Sequence, residues 1–268
     1  MKKLSLLLVA LVSSVVIGSS AFAAGGHGAA VDKVHMNMSD KASLQSGAKI
    51  FVNYCLSCHS AQYSRYNRVA KDLEIPLWQL KENLMFTTEK EGDLMKTTMP
   101  EEDAKAWFGV APPDLSLVAR VRSPDWIYTY LRAFYIDESS PSGWNNSLFE
   151  NVAMPHAMYE LQGVQKVVGK VDSDSHGAID THASNDAVGD ALGDHKVVGD
   201  TIFELSHPGK LTPAEFDKSM ADLTAFLSYM AEPVQLQRKT IGVYTIAFLI
   251  ILLLLCMILK KEYWRDVH

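Results

Sequence analysis

The run Cys55-Leu56-Ser57-Cys58-His59 restricts this chain more than any other stretch of it. Two thiols three positions apart can form thioethers to the two vinyl groups on one edge of a porphyrin, and the adjacent imidazole can reach the iron from one face. A domain carrying this attachment has to fold around the macrocycle. Three other chemistries compete for the same residues. Structural zinc needs four ligands, and between the two apolar ends of the chain there is no third cysteine. A Cys55–Cys58 disulfide leaves His59 without a purpose. A thioredoxin-like redox pair needs a strand before the motif, whereas the residues before it predict a helix. One covalent haem c is therefore the expected cofactor.

Both ends of the chain place that haem relative to a membrane. Lys2 and Lys3, the apolar run 4–17 and the small residues closing at Ala21-Phe22-Ala23 make a secretory signal, cleaved after Ala23. The h-region is too short to span a bilayer, which takes about 20 apolar residues. The Arg-poor, Lys-Lys start fits a bacterial signal and directs the domain to the periplasm. Residues 241–259 contain no charge and at about 1.5 Å per residue match a hydrocarbon core of about 30 Å. The segment 239–260 is read as a single transmembrane anchor in the bacterial inner membrane, with 261–268 as a cytoplasmic tail. Arg238 and Lys239 precede the span and Lys260, Lys261 and Arg265 follow it, a slight positive-inside bias of matching sign. Tyr244, Tyr263 and Trp264 sit near its ends, where amphipathic rings anchor at headgroups.

The exported part, residues 24–238, carries a net charge of −10. That balance disfavours nucleic acid and suits a basic partner drawn in by salt-sensitive steering, with Glu89, Glu91, Asp93, Glu101, Glu102 and Asp103 as candidate contacts. Its middle is divided by Pro76, Pro100, Pro112, Pro113, Pro124, Pro141 and Pro155, which leave room only for short helices such as 125–135. Leu44, Ala48, Phe51 and Cys55 keep helical spacing after Ser43, a candidate N-cap, so the first cysteine falls at a helix end. Residues 169–200, with seven Asp, five Gly and three His, read as a flexible surface insert; His176, His182 and His195 lack compact metal-ligand spacing. Thr212-Pro213-Ala214-Glu215 is a capping box. The helix it opens puts Phe216, Met220, Leu223, Leu227 and Met230 on one stripe, a core face.

The second axial ligand separates electron transfer from open-site chemistry. A Met thioether opposite His59 raises the potential and closes the iron to small molecules. Met85, Met95, Met99, Met154 and Met158 are candidates. Met99-Pro100 and Met154-Pro155 are preferred, because a following proline enforces extended backbone, and spacing does not choose between these two.

Taken together, the haem motif, Ala111-Pro112-Pro113-Asp114-Leu115-Ser116 with Arg120 and Arg122, Asn151-Val152-Ala153-Met154-Pro155-His156, the helix at 212–233 and the tail Lys260-Lys261-Glu262-Tyr263-Trp264-Arg265-Asp266-Val267 resemble the cytochrome c1 family. The resemblance covers nearly all of the mature chain. It implies a mainly α fold: a cytochrome c-like haem domain with long loops plus one C-terminal transmembrane helix. It further implies Met154 as the distal iron ligand beside His59, and Arg122, with Arg120 as the alternative, as the partner of a haem propionate. Pro112 or Pro113 is implied as the carbonyl that fixes the His59 tautomer, Pro112 being the one assigned. The implied role is an electron-transfer subunit of quinol:cytochrome c oxidoreductase, a dimeric complex with cytochrome b. The subunit takes its electron from the Rieske iron-sulfur protein and gives it to a soluble or tethered cytochrome c. The alternative is a membrane-anchored monohaem cytochrome that shuttles electrons to a terminal oxidase. The segment 169–200 departs from the family pattern.

Overall fold

A computed structural model describes residues 30–171 and 195–265. The expected signal peptide 1–23, the core of the insert with His176 and His182, and the last three residues of the tail lie outside them.

Helix α1 (Lys41–Ile50) opens the domain, and its cap is Asp40, whose carboxylate accepts from the Ala42 and Ser43 amides. Ser43, the expected cap, lies instead inside the first turn and donates to Asp222 at 2.6 Å. The chain then widens into a π-helical turn, Phe51–Cys55, closed by the Leu56 amide on the Phe51 carbonyl at 3.0 Å. Such one-turn widenings of an α-helix are frequent at functional sites, and this one delivers Cys55. Strand β1 (Ala61–Arg65), helices α2 (Tyr66–Leu73) and α3 (Leu77–Asn83), strand β2 (Leu94–Met95) and helix α4 (Glu101–Phe108) follow. Next come α5 (Val118–Val121), α6 (Pro124–Arg132), β3 (Phe134–Ile136), β4 (Trp144–Asn146) and α7 (Tyr159–Gln162). The remaining elements are β5 (Gly163–Lys170), β6 (His195–Val198), β7 (Thr201–Pro208), α8 (Pro213–Ala231) and α9 (Gln235–Tyr263).

The core forms where α1 crosses α8. Leu44, Ala48 and Phe51 meet Met220, Leu223, Phe226 and Leu227, all buried, and the Phe51 and Phe226 rings lie 5.7 Å apart. Gly47 makes the crossing possible, because a Cβ there would sit 2.1 Å from the Asp222 carbonyl oxygen. The Thr212–Glu215 capping box is present at the start of α8, with Pro213 as its first residue, and Met220 and Met230 are core residues as expected.

Two expectations about local structure are corrected. The helix expected at 125–135 stops at Arg132, and Phe134 starts a strand paired with β4. The ends of the expected flexible segment are ordered strand: β5 reaches Lys170, β6 starts at His195, and both pair antiparallel with β7 in the order β5-β7-β6. Arg132 ties this sheet to the helices. Its guanidinium, 3% exposed, forks onto both Asp217 carboxylate oxygens (2.7 and 3.1 Å) and reaches Asp32 at 2.7 Å. Lys196 of β6 closes on Asp217, the Gly199 amide donates to Asp32, and Gln162 and Gln165 donate to the Arg132 carbonyl. Two cations and two anions thus balance below the surface, so no charge is left uncompensated.

Helix α9 is long and apolar enough to cross a bilayer, and none of its residues is buried among the described residues. It satisfies its own backbone, as lipid demands, while its apolar side chains require a lipid or protein environment.

Candidate haem site

The attachment motif leaves the π-helical turn and is pinned by two distant segments. Within it the Cys58 and His59 amides both donate to the Cys55 carbonyl, at 3.1 and 2.8 Å. From one side Thr97 donates its hydroxyl to the Ser57 carbonyl (2.7 Å) and its amide to the Ser60 hydroxyl. From the other, the Leu115 amide donates to the Ser60 carbonyl, Asp114 accepts from the Gln62 amide, and the Ser116 hydroxyl accepts from the Tyr63 amide. The sequence block 111–116 is thus the brace of the haem motif.

His59 Nδ1 lies 2.7 Å from the Pro113 carbonyl. The brace is therefore Pro113, and the assignment to Pro112 is corrected: the carbonyl within hydrogen-bond reach of the ring is that of Pro113. With Nδ1 carrying the proton for that bond, Nε2 is left unprotonated and free to act as a ligand. Burial holds the imidazole below its ordinary pKa, against the opposing pull of the Pro113 carbonyl and Asp114, so the ring is neutral at physiological pH. Cys55 and Cys58 are free, half-buried thiols. Two thiols at vinyl spacing next to a neutral, tautomer-fixed imidazole form a donor set that fits a covalent haem. Among the described residues no group of three His, Cys, Asp or Glu converges.

The methionine candidates divide by burial. Met85, Met95 and Met158 are absorbed in the apolar core, leaving Met99 and Met154 half-buried in loops. Met154 follows Asn151, whose φ of +59° is a left-handed conformation that asparagine tolerates. Its sulfur accepts a hydrogen bond from the Tyr130 hydroxyl at 3.4 Å. Burial pushes the Tyr130 phenol upward, so it stays protonated and able to donate.

Arg122 and Arg120 separate as well. Arg120 pairs with Glu232 at 3.2 Å. Arg122 caps α5, makes no ion pair among the described residues, and lies over the Trp126 ring (5.0 Å) and toward Phe149 (5.9 Å). Ser123 beside it has φ +79° and ψ 152°, a conformation favoured by glycine, and its hydroxyl caps α6 by accepting from the Trp126 amide. Among the described residues, two of the three non-glycine residues with positive φ therefore lie close in sequence to Arg122 and Met154: Ser123, adjacent to the first, and Asn151, three residues before the second. Tyr130, Trp126 and Phe134 were not read from the sequence as site residues. Their signal was available, because Arg122, Trp126, Tyr130 and Phe134 recur every four residues. His156 is also buried here, with its ring parallel to Phe134 at 5.0 Å and neither ring nitrogen hydrogen-bonded within the described residues.

Of the acidic candidates, Glu91 pairs with Lys81, Glu101 with Lys105, and Asp93 accepts from Thr88, while Glu89, Glu102 and Asp103 are exposed.

A membrane-anchored haem protein built for electron transfer is the class that this fold and donor set define. The model of the cytochrome C1 family matches residues 32–166 and 200–267, leaving out 167–199, and the chain belongs to that family. It is 45% identical to cytochrome c1 of Allochromatium vinosum over 96% of this chain and 98% of that protein. It is 38% identical to a protein named ammonia monooxygenase gamma subunit of Nitrosomonas europaea over the full length of both, and 25% identical to cytochrome c1 of Rhodospirillum rubrum over 85% and 83%. The chain accordingly carries one covalent haem c.

Proposed function

We propose that this chain is the fixed haem relay of a quinol:cytochrome c oxidoreductase, accepting one electron from a Rieske iron-sulfur protein and passing it to cytochrome c. What carries the reading is that the family match runs through the haem domain and the apolar helix to residue 267. The haem domain lies on the periplasmic side of the bacterial inner membrane after cleavage behind Ala23. Helix α9 packs beside cytochrome b in a dimeric complex.

In this assignment Cys55 and Cys58 would hold the macrocycle, and His59 Nε2, with the ring proton fixed on Nδ1 by Pro113, and the Met154 sulfur would ligate its iron. Arg122 takes a propionate; its engagement with Trp126 and Phe149, in place of a carboxylate, leaves the planar fork available for one. When bound there, haem c supplies a one-electron couple whose potential is raised by Met/His ligation. The chain's own residues neither donate nor accept protons in the transfer. They fix the His59 tautomer through the Pro113 carbonyl and engage the Met154 sulfur through the Tyr130 hydroxyl.

Purification through a tag on this chain in mild detergent tests the assignment. Cytochrome b and a Rieske protein are expected in stoichiometric amounts. Recovery without either overturns it in favour of a single-haem carrier serving a terminal oxidase. Recovery with subunits of a membrane monooxygenase overturns it in favour of the association named for the Nitrosomonas relative.

A further inference from the structure

We infer that Tyr130 is a positioning residue that sets the potential of the haem by donating its hydroxyl proton to the sulfur of Met154. The inference rests on the proposed role of Met154 as distal ligand. A thioether sulfur has two lone pairs, and one of them is engaged by Tyr130 at 3.4 Å, leaving the other for a metal. A donor on the sulfur draws electron density away from it. The loss weakens its donation to ferric iron more than to ferrous iron, because the ferric centre depends more on that density. The hydrogen bond therefore favours the reduced state.

The hydroxyl is held in place from several sides. Tyr130 stacks on Trp126 with centroids 4.9 Å apart and planes 11° from parallel, and Trp126 in turn carries the Arg122 guanidinium. Phe134 meets the Tyr130 ring edge-on at 5.1 Å. The Asn146 side chain donates to the Tyr130 carbonyl at 2.8 Å, while its oxygen accepts from the Leu148 and Phe149 amides at the start of the segment that leads to Met154. Phe134, at the start of β3, also stacks on His156, two residues beyond Met154, so the ligand loop is keyed on one side to α6 and on the other to the strand that follows it. Trp126 and Tyr130, four residues apart on α6, share one helix face, and the Arg122 guanidinium on Trp126 extends that stack from the candidate propionate arginine to the ligand sulfur. A phenol placed there only to fill space would have no need of its oxygen.

Tyr130→Phe keeps the ring, its stacking and the fold, and removes only the donor. In the intact complex the redox titration of the c-type haem is expected to shift about fivefold toward the oxidised form, which at 59 mV per tenfold is about 41 mV downward. The far-red absorption of a thioether bound to ferric iron is expected to persist in Tyr130→Phe and to vanish in Met154→Leu. An unchanged potential in Tyr130→Phe, with the band present and Met154→Leu lacking it, overturns the role of Tyr130 and leaves the ligand assignment standing. Persistence of the band in Met154→Leu overturns the ligand assignment, and the role of Tyr130 with it.

Discussion

Replacing Cys55 and Cys58 together with alanine is expected to lower the haem that stays with this chain through denaturing electrophoresis by more than tenfold. Each thioether requires its own thiol, and no other cysteine of the described domain can substitute, since Cys256 lies on the apolar helix. The loss should extend beyond staining. The segments 97–99 and 113–116 converge on the motif from opposite sides, and in the proposed assignment the half-buried Met154 and exposed Arg122 also lean on the macrocycle. Without it the domain loses the body around which its loops close. In-gel haem staining against an immunoblot of the same lanes measures both effects: staining falls to background and the amount of chain falls with it. Full staining in the double variant would rule out thioether attachment at this motif.

The second large effect is expected at Arg132. Arg132→Leu leaves Asp32 and Asp217 below the surface with Lys196 as the one cation paired there among the described residues, and removes the fork that joins α6 to α8. Breaking a buried charge network in this way costs about 3–5 kcal/mol. For a domain of this size each kcal/mol moves the midpoint by about 2–4 °C, so a fall of about 10 °C is expected in thermal unfolding of the detergent-solubilised protein followed by far-UV circular dichroism. Arg132→Lys should recover little of it, because an ammonium cannot reproduce two parallel bonds to one carboxylate. A shift within 2 °C, the low end of that per-kcal scale, for Arg132→Leu would show that the network contributes no net stability.

The features legible from sequence were those whose physics is local. The haem motif is five contiguous residues, the cap of α8 is four, and the anchor is one unbroken apolar run. Local reasoning went astray where a distant partner decides the outcome. Ser43 is a good capping residue, but Asp222 on α8, 179 positions away, claims its hydroxyl, and Asp40 takes the cap. Strands β5 and β7 are separated by the Asp- and Gly-rich segment, so their pairing leaves no pattern in either strand alone, and the composition of the segment concealed the β-structure at its ends. Choosing between Pro112 and Pro113 requires the direction of a carbonyl, which sequence does not encode at one-residue resolution. The aromatic ladder beneath Met154 was legible in principle, but its four-residue period reads equally well as an ordinary buried helix face.

The most direct measurement of the relay is a reduced-minus-oxidised spectrum, with a quinol as reductant, of the complex isolated through this chain. The account predicts one c-type signal accompanied by b-type signals, with the c-type haem reduced by quinol and reoxidised on adding ferric cytochrome c. A c-type signal alone, unresponsive to quinol, would contradict it.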